Sequence, residues 1–134
     1  MSDWVRNIFF NFLNRNTMTK EEFNENFRRR TKKFAVDVIN YLSGLPPLKS
    51  MRVIDYQLTK SATSIAANYR AACRGRSKAE FHAKISIVVE EADESQFWLE
   101  MIEDLKIDNS DELKRLQNEA LEILKVCSKA RGNS

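Results

Sequence analysis

The sequence predicts an all-α protein, an up-down-up-down antiparallel four-helix bundle. Only 3 Gly and 2 Pro stand among 134 residues, which favours long uninterrupted elements over turn-rich ones. Apolar side chains recur at steps of three, four and seven, the spacing of one helix face rather than of a strand. Start and stop signals cut the chain into four amphipathic stretches of similar length with short connections, and such stretches pack as antiparallel neighbours. One domain of this length hides roughly two-thirds of the surface its unfolded chain exposes, enough for a core without disulfides or metal.

Each helix has its own punctuation. Thr19 and Glu22 spell a capping box, after which Phe23, Phe27, Phe34, Val38 and Tyr41 form the first stripe; Gly44, Pro46 and Pro47 close it. The second helix begins near Ser50, sets Ile54, Leu58, Ala62, Ile65, Tyr69 and Ala72 on one face, and stops at Gly75. Ser77 and Glu80 form a second capping box. Beyond it Phe81, Ile85, Val88, Ala92, Ser95, Leu99 and Ile102 make a coiled-coil-like seam along a helix of about 27 residues, roughly 40 Å long. Ser110 caps the fourth helix, Asp111 and Glu112 suit its positive end, and Leu113, Leu116, Ala120, Ile123, Cys127 and Ala130 form its stripe up to Gly132. The bundle domain thus covers residues 19–134. Residues 1–18 precede it as an apolar extension rich in Trp4, Ile8, Phe9, Phe10, Phe12 and Leu13.

Composition narrows the functional classes. Cys73 and Cys127 fit neither a disulfide framework nor a zinc motif, so a reducing cytoplasm is expected. No apolar run approaches a membrane span, and residues 1–18 carry too few cations for an interfacial anchor. Packing on the domain or on a neighbouring subunit is the expected fate of that extension. The third helix is too apolar for a lone bundle: Ile87, Trp98 and Met101 lie on one flank of its seam, with Phe97 beyond. Two apolar flanks imply two neighbours, and the second is expected to be another subunit.

The formal charge of +3 conceals a separation. In an alternating bundle the start of helix one, the turn between helices two and three, and the end of helix four share one end. Residues 20–33, 70–84 and 125–131 sum to +10, whereas residues 34–69, 85–124 and 132–134 sum to −8. The basic pole contains Arg28, Arg29, Arg30, Lys32, Lys33, Arg70, Arg74, Arg76, Lys78 and Lys84. Cations at helix C-terminal ends complement the macrodipole, but Arg76, Lys78 and Lys84 flank a helix start, where positive charge is unfavourable. Phosphate binding is the natural use of such a surface. Aromatic side chains are scarce on the pole, which points to backbone charge rather than base stacking.

The acidic residues Glu90, Glu91, Asp93 and Glu94 are the other constellation. Glu91, Glu94 and Trp98 share a face with Ile87, so these carboxylates need partners. The antiparallel pairing of helices two and three places Gln57 and Lys60 opposite them, and an ion pair of Lys60 with Glu91 and Glu94 is expected. A dimetal carboxylate site in a bundle uses Glu-x-x-His motifs from two helices; the single His82 lies outside any such spacing, so no metal and no cofactor are expected. His82 also lacks a nucleophile beside it in sequence, and there is no Gly-rich phosphate loop. A non-enzymatic protein follows.

The run from Lys60 to Glu100, KSATSIAANYRAACRGRSKAEFHAKISIVVEEADESQFWLE, resembles the signature of the four-helix bundle proteins first noticed as open reading frames in intervening sequences of bacterial 23S rRNA genes. Its core is Ser61 to Asn68, the Arg74 to Phe81 turn with its capping box, and Glu91, Glu94 and Trp98. Ala71 stands where many members carry an acidic residue. The resemblance implies an oligomeric ring, five subunits in a barrel, and nucleic-acid binding. The family is also similar to the accessory variability protein of diversity-generating retroelements, a basic bundle that works with a reverse transcriptase. Two functions are therefore expected in order: an oligomeric RNA- or DNA-binding protein, or a scaffold that recruits a partner protein such as a reverse transcriptase.

Overall fold

The computed structural model describes residues 19–132, in which four helices follow in order: α1 (Lys20–Ser43), α2 (Met51–Cys73), α3 (Lys78–Asp104) and α4 (Asp111–Gly132). The extension 1–18 lies outside the described residues. The Thr19 and Ser77 side chains cap their helices as read, while the carboxylate half of the box is shifted by one residue at α3. Glu22 donates its backbone N–H to Thr19 Oγ1 at 3.1 Å, and Glu80 donates to Ser77 Oγ at 3.1 Å while its carboxylate accepts the Arg76 backbone N–H at 2.8 Å. Ser50 makes no side-chain cap; Met51 and Arg52 instead donate backbone N–H groups to Leu48 and Lys49.

Sequence neighbours are spatial neighbours. α2 packs most extensively on α3, α3 on α4 and α1 on α2, while a sparser α1–α4 contact closes the ring. The predicted stripes meet inside: Phe34, Val38, Leu58, Ile65, Ile85, Val88, Leu99, Ile102, Leu116 and Ile123 are all buried. Three polar side chains join them, and each is satisfied. Thr31 donates to the Arg28 carbonyl, and Ser61 and Ser95 face each other across α2 and α3 with Oγ atoms 2.8 Å apart. That contact fixes the antiparallel register and sets α2 residues below 61 against α3 residues above 95.

Two turns differ in how they are held. At Gly75 an added Cβ would lie 3.1 Å from the Ala72 carbonyl oxygen and 3.3 Å from the Phe81 nitrogen, so any side chain there presses on the backbone of the short α2–α3 turn. α3 ends without a glycine. Lys106 adopts φ 57°, its N–H bonds the Glu103 carbonyl at 2.9 Å and the Ile107 N–H bonds the Ile102 carbonyl at 3.1 Å, a Schellman motif built on lysine. Asp108 then anchors the loop, accepting hydrogen bonds from Tyr41 Oη and Ser110 Oγ, both at 2.6 Å. Those two donors hold the Asp108 carboxyl below its ordinary range.

Candidate nucleic-acid interface

The alternating helices bring the start of α1, the α2–α3 turn and the end of α4 to one end. Tyr69 near the end of α2 donates its hydroxyl to Asn24 Oδ1 at 3.4 Å, and its ring meets Phe27 edge-on at 4.9 Å, joining α1 and α2 there. The ten basic residues read from sequence lie toward this end but fall into two groups.

One group is tied internally. Arg30 is half-buried and forms a bidentate bond to Glu119, with Nε–Oε2 and NH2–Oε1 both at 2.7 Å; the carboxylate holds the guanidinium charged against the pull of burial. Its place in the bundle is that of a strut between α1 and α4, which engages the charge that the sequence assigned to the pole. Arg28 and Arg29 share Glu25, Lys33 bonds Asp37 at 2.6 Å, and Arg76 reaches Glu80 at 3.3 Å. Lys33 and Arg76 stay largely exposed, but half of the Arg76 argument now has a local explanation in the capping box.

The other group is Lys32, Arg70, Arg74, Lys78 and Lys84. All five are exposed, and none makes an ion pair among the described residues. Arg70, Arg74, Lys78 and Lys84 present positive charge to water about the α2–α3 turn, and Lys32 adds to it from the midpoint of α1.

On the acidic side the expected ion pair does not form. Lys60 is exposed with its ammonium 6.0 Å from the Tyr56 ring centroid, and no carboxylate of Glu91 or Glu94 lies within ion-pairing distance. A lysine stem four carbons long reaches water more cheaply than a half-buried carboxylate. Glu91 is left with Ser64 as hydrogen-bonding neighbour, and burial, together with the like charge of Glu94, raises its carboxyl above the ordinary range. Glu94 accepts from Trp98 Nε1 at 3.3 Å. Of the flank residues, Ile87, Trp98 and Met101 are partly buried; Phe97 is exposed and packs edge-on against Trp98 at 4.9 Å. Leu105 and Val53 extend this apolar surface by helical spacing and register.

The remaining sequence candidates stay apart. His82 is exposed on the second turn of α3, and no group of three His, Cys, Asp or Glu among the described residues could hold a metal ion. Burial raises the thiol of Cys73 and pushes that of Cys127 up to about 12, so desolvation outweighs the basic surroundings at both. No helix among the described residues is long and apolar enough to cross a membrane.

One feature escaped the sequence reading. An open groove of about 620 Å³ runs between the second half of α1 and the first half of α2, walled by Ile39 and Leu42 and bordered by Arg52, Asp55, Tyr56 and Lys60. Tyr56 lies off the core stripe of α2, which was the available signal.

Fold and pole together define a class: a charge-polarised four-helix bundle that presents unpaired cations at one end. Within that class, the chain belongs to the 23S rRNA-intervening sequence protein family, whose model matches residues 14–129. The match takes in the last part of the 1–18 segment as well as the bundle. A solved structure from Bacteroides thetaiotaomicron, described as a protein with unknown function from the S23 ribosomal protein family, is similar. It is 28% identical, the similarity covers 81% of this chain and 97% of that one, and the TM-score is 0.74. No curated protein matches the chain.

Proposed function

We propose that this protein is a non-enzymatic, oligomeric bundle that binds the phosphate backbone of RNA or DNA through its basic pole. The observation that carries this reading is the set of five exposed, unpaired cations, Arg70, Arg74, Lys78 and Lys84 about the α2–α3 turn and Lys32 halfway along α1. The macrodipole at the end of α2 accounts for Arg70 and Arg74, but stability gives no reason for Lys78 at a helix start beside them, because like charges repel. Oligomerisation through the flank of Ile87, Phe97, Trp98 and Met101 follows from the same economy, since a half-exposed Phe97 beside a partly buried Trp98 is an unfinished apolar surface. Copies set side by side and parallel, five in the ring that the family resemblance implies, gather their poles on one rim. Avidity then exceeds the affinity of one subunit. Two free cysteines suit a reducing cytoplasm.

The exposed Phe97 and the neighbouring Glu90 and Asp93 favour a second reading, a surface that recruits a partner protein such as a reverse transcriptase. Binding of labelled RNA and DNA at low salt separates the two. The first reading expects binding by the unaltered protein and its loss when Arg74 and Lys78 are both changed to Glu. Absence of binding, or binding that survives the double reversal, overturns it. Pull-down of a protein partner that resists nuclease and high salt supports the second.

A further inference from the structure

We infer that the α1–α2 groove binds an unpaired nucleobase, with Tyr56 as the stacking platform, so that the preferred ligand is single-stranded rather than duplex nucleic acid. This rests on the nucleic-acid reading above and narrows it. Tyr56 is 64% exposed, an unusual position for a large aromatic ring on a bundle whose stripes otherwise bury theirs. Its ring stands at the border of a groove of about 620 Å³, ample for a nucleoside. Ile39 offers an apolar wall across from it. Arg52 and Asp55 sit one helical turn apart yet make no ion pair, and Lys60 makes none either, among the described residues.

That set of groups selects a ligand class. A purely apolar occupant would leave Arg52 and Asp55 at its edge without a partner. A simple anion would meet Asp55 and would not use the ring. A nucleotide matches each group: a π-face for Tyr56, a phosphate for Arg52 and Lys60, and a base amino group or ribose hydroxyl for Asp55. Exposed cations lead from the groove toward the pole. Lys32 lies two turns before Ile39 on the same face of α1, exposed and unpaired, and Arg70 lies about 21 Å along α2 from Tyr56. A strand held at the pole by its phosphates therefore passes Lys32 and delivers a base to Tyr56. In a duplex the bases are stacked inside and present no face.

The test uses the full chain with fluorescein-labelled oligouridylate and oligothymidylate of about 20 nucleotides, a duplex of the same length, and anisotropy as readout, on a scale set by the loss of one base–aromatic stack. Tyr56→Ala is expected to weaken single-strand binding about 5- to 150-fold and to leave duplex binding unchanged, whereas Tyr56→Trp and Tyr56→Phe retain single-strand binding. The exposure of Tyr56 makes all three variants foldable, which circular dichroism verifies. Single-strand binding that is lost on changing Arg74 and Lys78 but indifferent to Tyr56→Ala overturns this inference and leaves the pole reading standing. Equal weakening of single strand and duplex by Tyr56→Ala also overturns it. A change in oligomer mass by light scattering with Tyr56→Ala, at unchanged oligonucleotide affinity, makes the groove a protein interface and overturns it. Failure of the unaltered protein to bind any of the probes removes both readings.

Discussion

Neutralising Arg74 and Lys78 together should change how steeply nucleic-acid affinity depends on salt, and the structure sets the size of the change. Five pole cations are exposed and unpaired; each that meets a phosphate releases a counterion. Per subunit the slope of log affinity against log salt is then about −3.5 on a single strand and −4.5 on a duplex. Between 50 and 200 mM salt affinity falls about 130- to 500-fold. Changing Arg74 and Lys78 to Ser leaves three contacts, a slope of about −2.1 to −2.7, and a fall of only about 20- to 40-fold. Fluorescence anisotropy across that salt range measures both slopes. Arg30→Met is the internal control. Its guanidinium is held by Glu119 and is already neutralised, so the slope should stay while stability drops by about 1 kcal/mol, a value discounted for partial exposure of the pair. A slope unmoved by the Arg74 and Lys78 changes, or moved equally by Arg30→Met, refutes the division of the pole into free and tied cations.

Three further outcomes follow from the interior and the loops. Ser61→Ala should cost about 1–2 kcal/mol because it strands the buried Ser95 hydroxyl, Ser95→Ala less because Ser61 keeps the Leu58 carbonyl, and the double variant less than the sum; urea midpoints at constant m measure this coupling. Lys106→Gly should stabilise by about 0.5–1 kcal/mol, since glycine relieves the left-handed backbone at the end of α3, and thermal unfolding reads it. Glu91→Gln should raise the urea midpoint at pH 7 and not at pH 4. The folded state raises the Glu91 pKa, so the ionised carboxylate opposes folding above that value and the penalty vanishes once it is protonated.

Helix boundaries were legible because they depend on local chemistry. Thr19, Ser77 and Ser110 each cap the helix that follows them, and the stripes fall inside because a period near 3.6 admits one buried face. Long-range pairings were not legible. Glu119 lies 89 residues from Arg30, and nothing local marks it as the partner that takes Arg30 out of the free pole. Lys60 illustrates the opposite failure: register put it near Glu91, but a flexible lysine at a helix surface chooses between a carboxylate, a ring and water by small margins. The end of α3 carried no glycine signal, because the motif there is made with Lys106. Tyr56 carries no local signal of its groove, because the apolar wall opposite it comes from Ile39 and Leu42 on another helix.

Not every cation of the pole tells equally of function. Arg70 and Arg74 sit at the end of α2, and Lys129 and Arg131 in the last turn of α4, where the macrodipole welcomes positive charge. Glu80 and Glu119 pair with Arg76 and Arg30, and Glu25 is shared by Arg28 and Arg29, so three carboxylates offset three of these four cations. Lys84 lies past the first turn of α3, where the dipole has faded. Lys78, like Lys20 at the start of α1, combines an exposed, unpaired ammonium with the first position of a helix, where a cation opposes the macrodipole. A residue kept at the expense of stability is the sharpest test of use. Lys78→Glu should therefore stabilise the fold by about 0.5–1.5 kcal/mol in thermal or urea unfolding, because it removes one unfavourable dipole interaction and adds a favourable one. The same change should weaken nucleic-acid binding at low salt by about fivefold or more, since a phosphate contact becomes a repulsion. Opposite signs on stability and binding identify Lys78 with the proposed function. A variant that is less stable, or that binds as tightly as the unaltered protein, removes that identification.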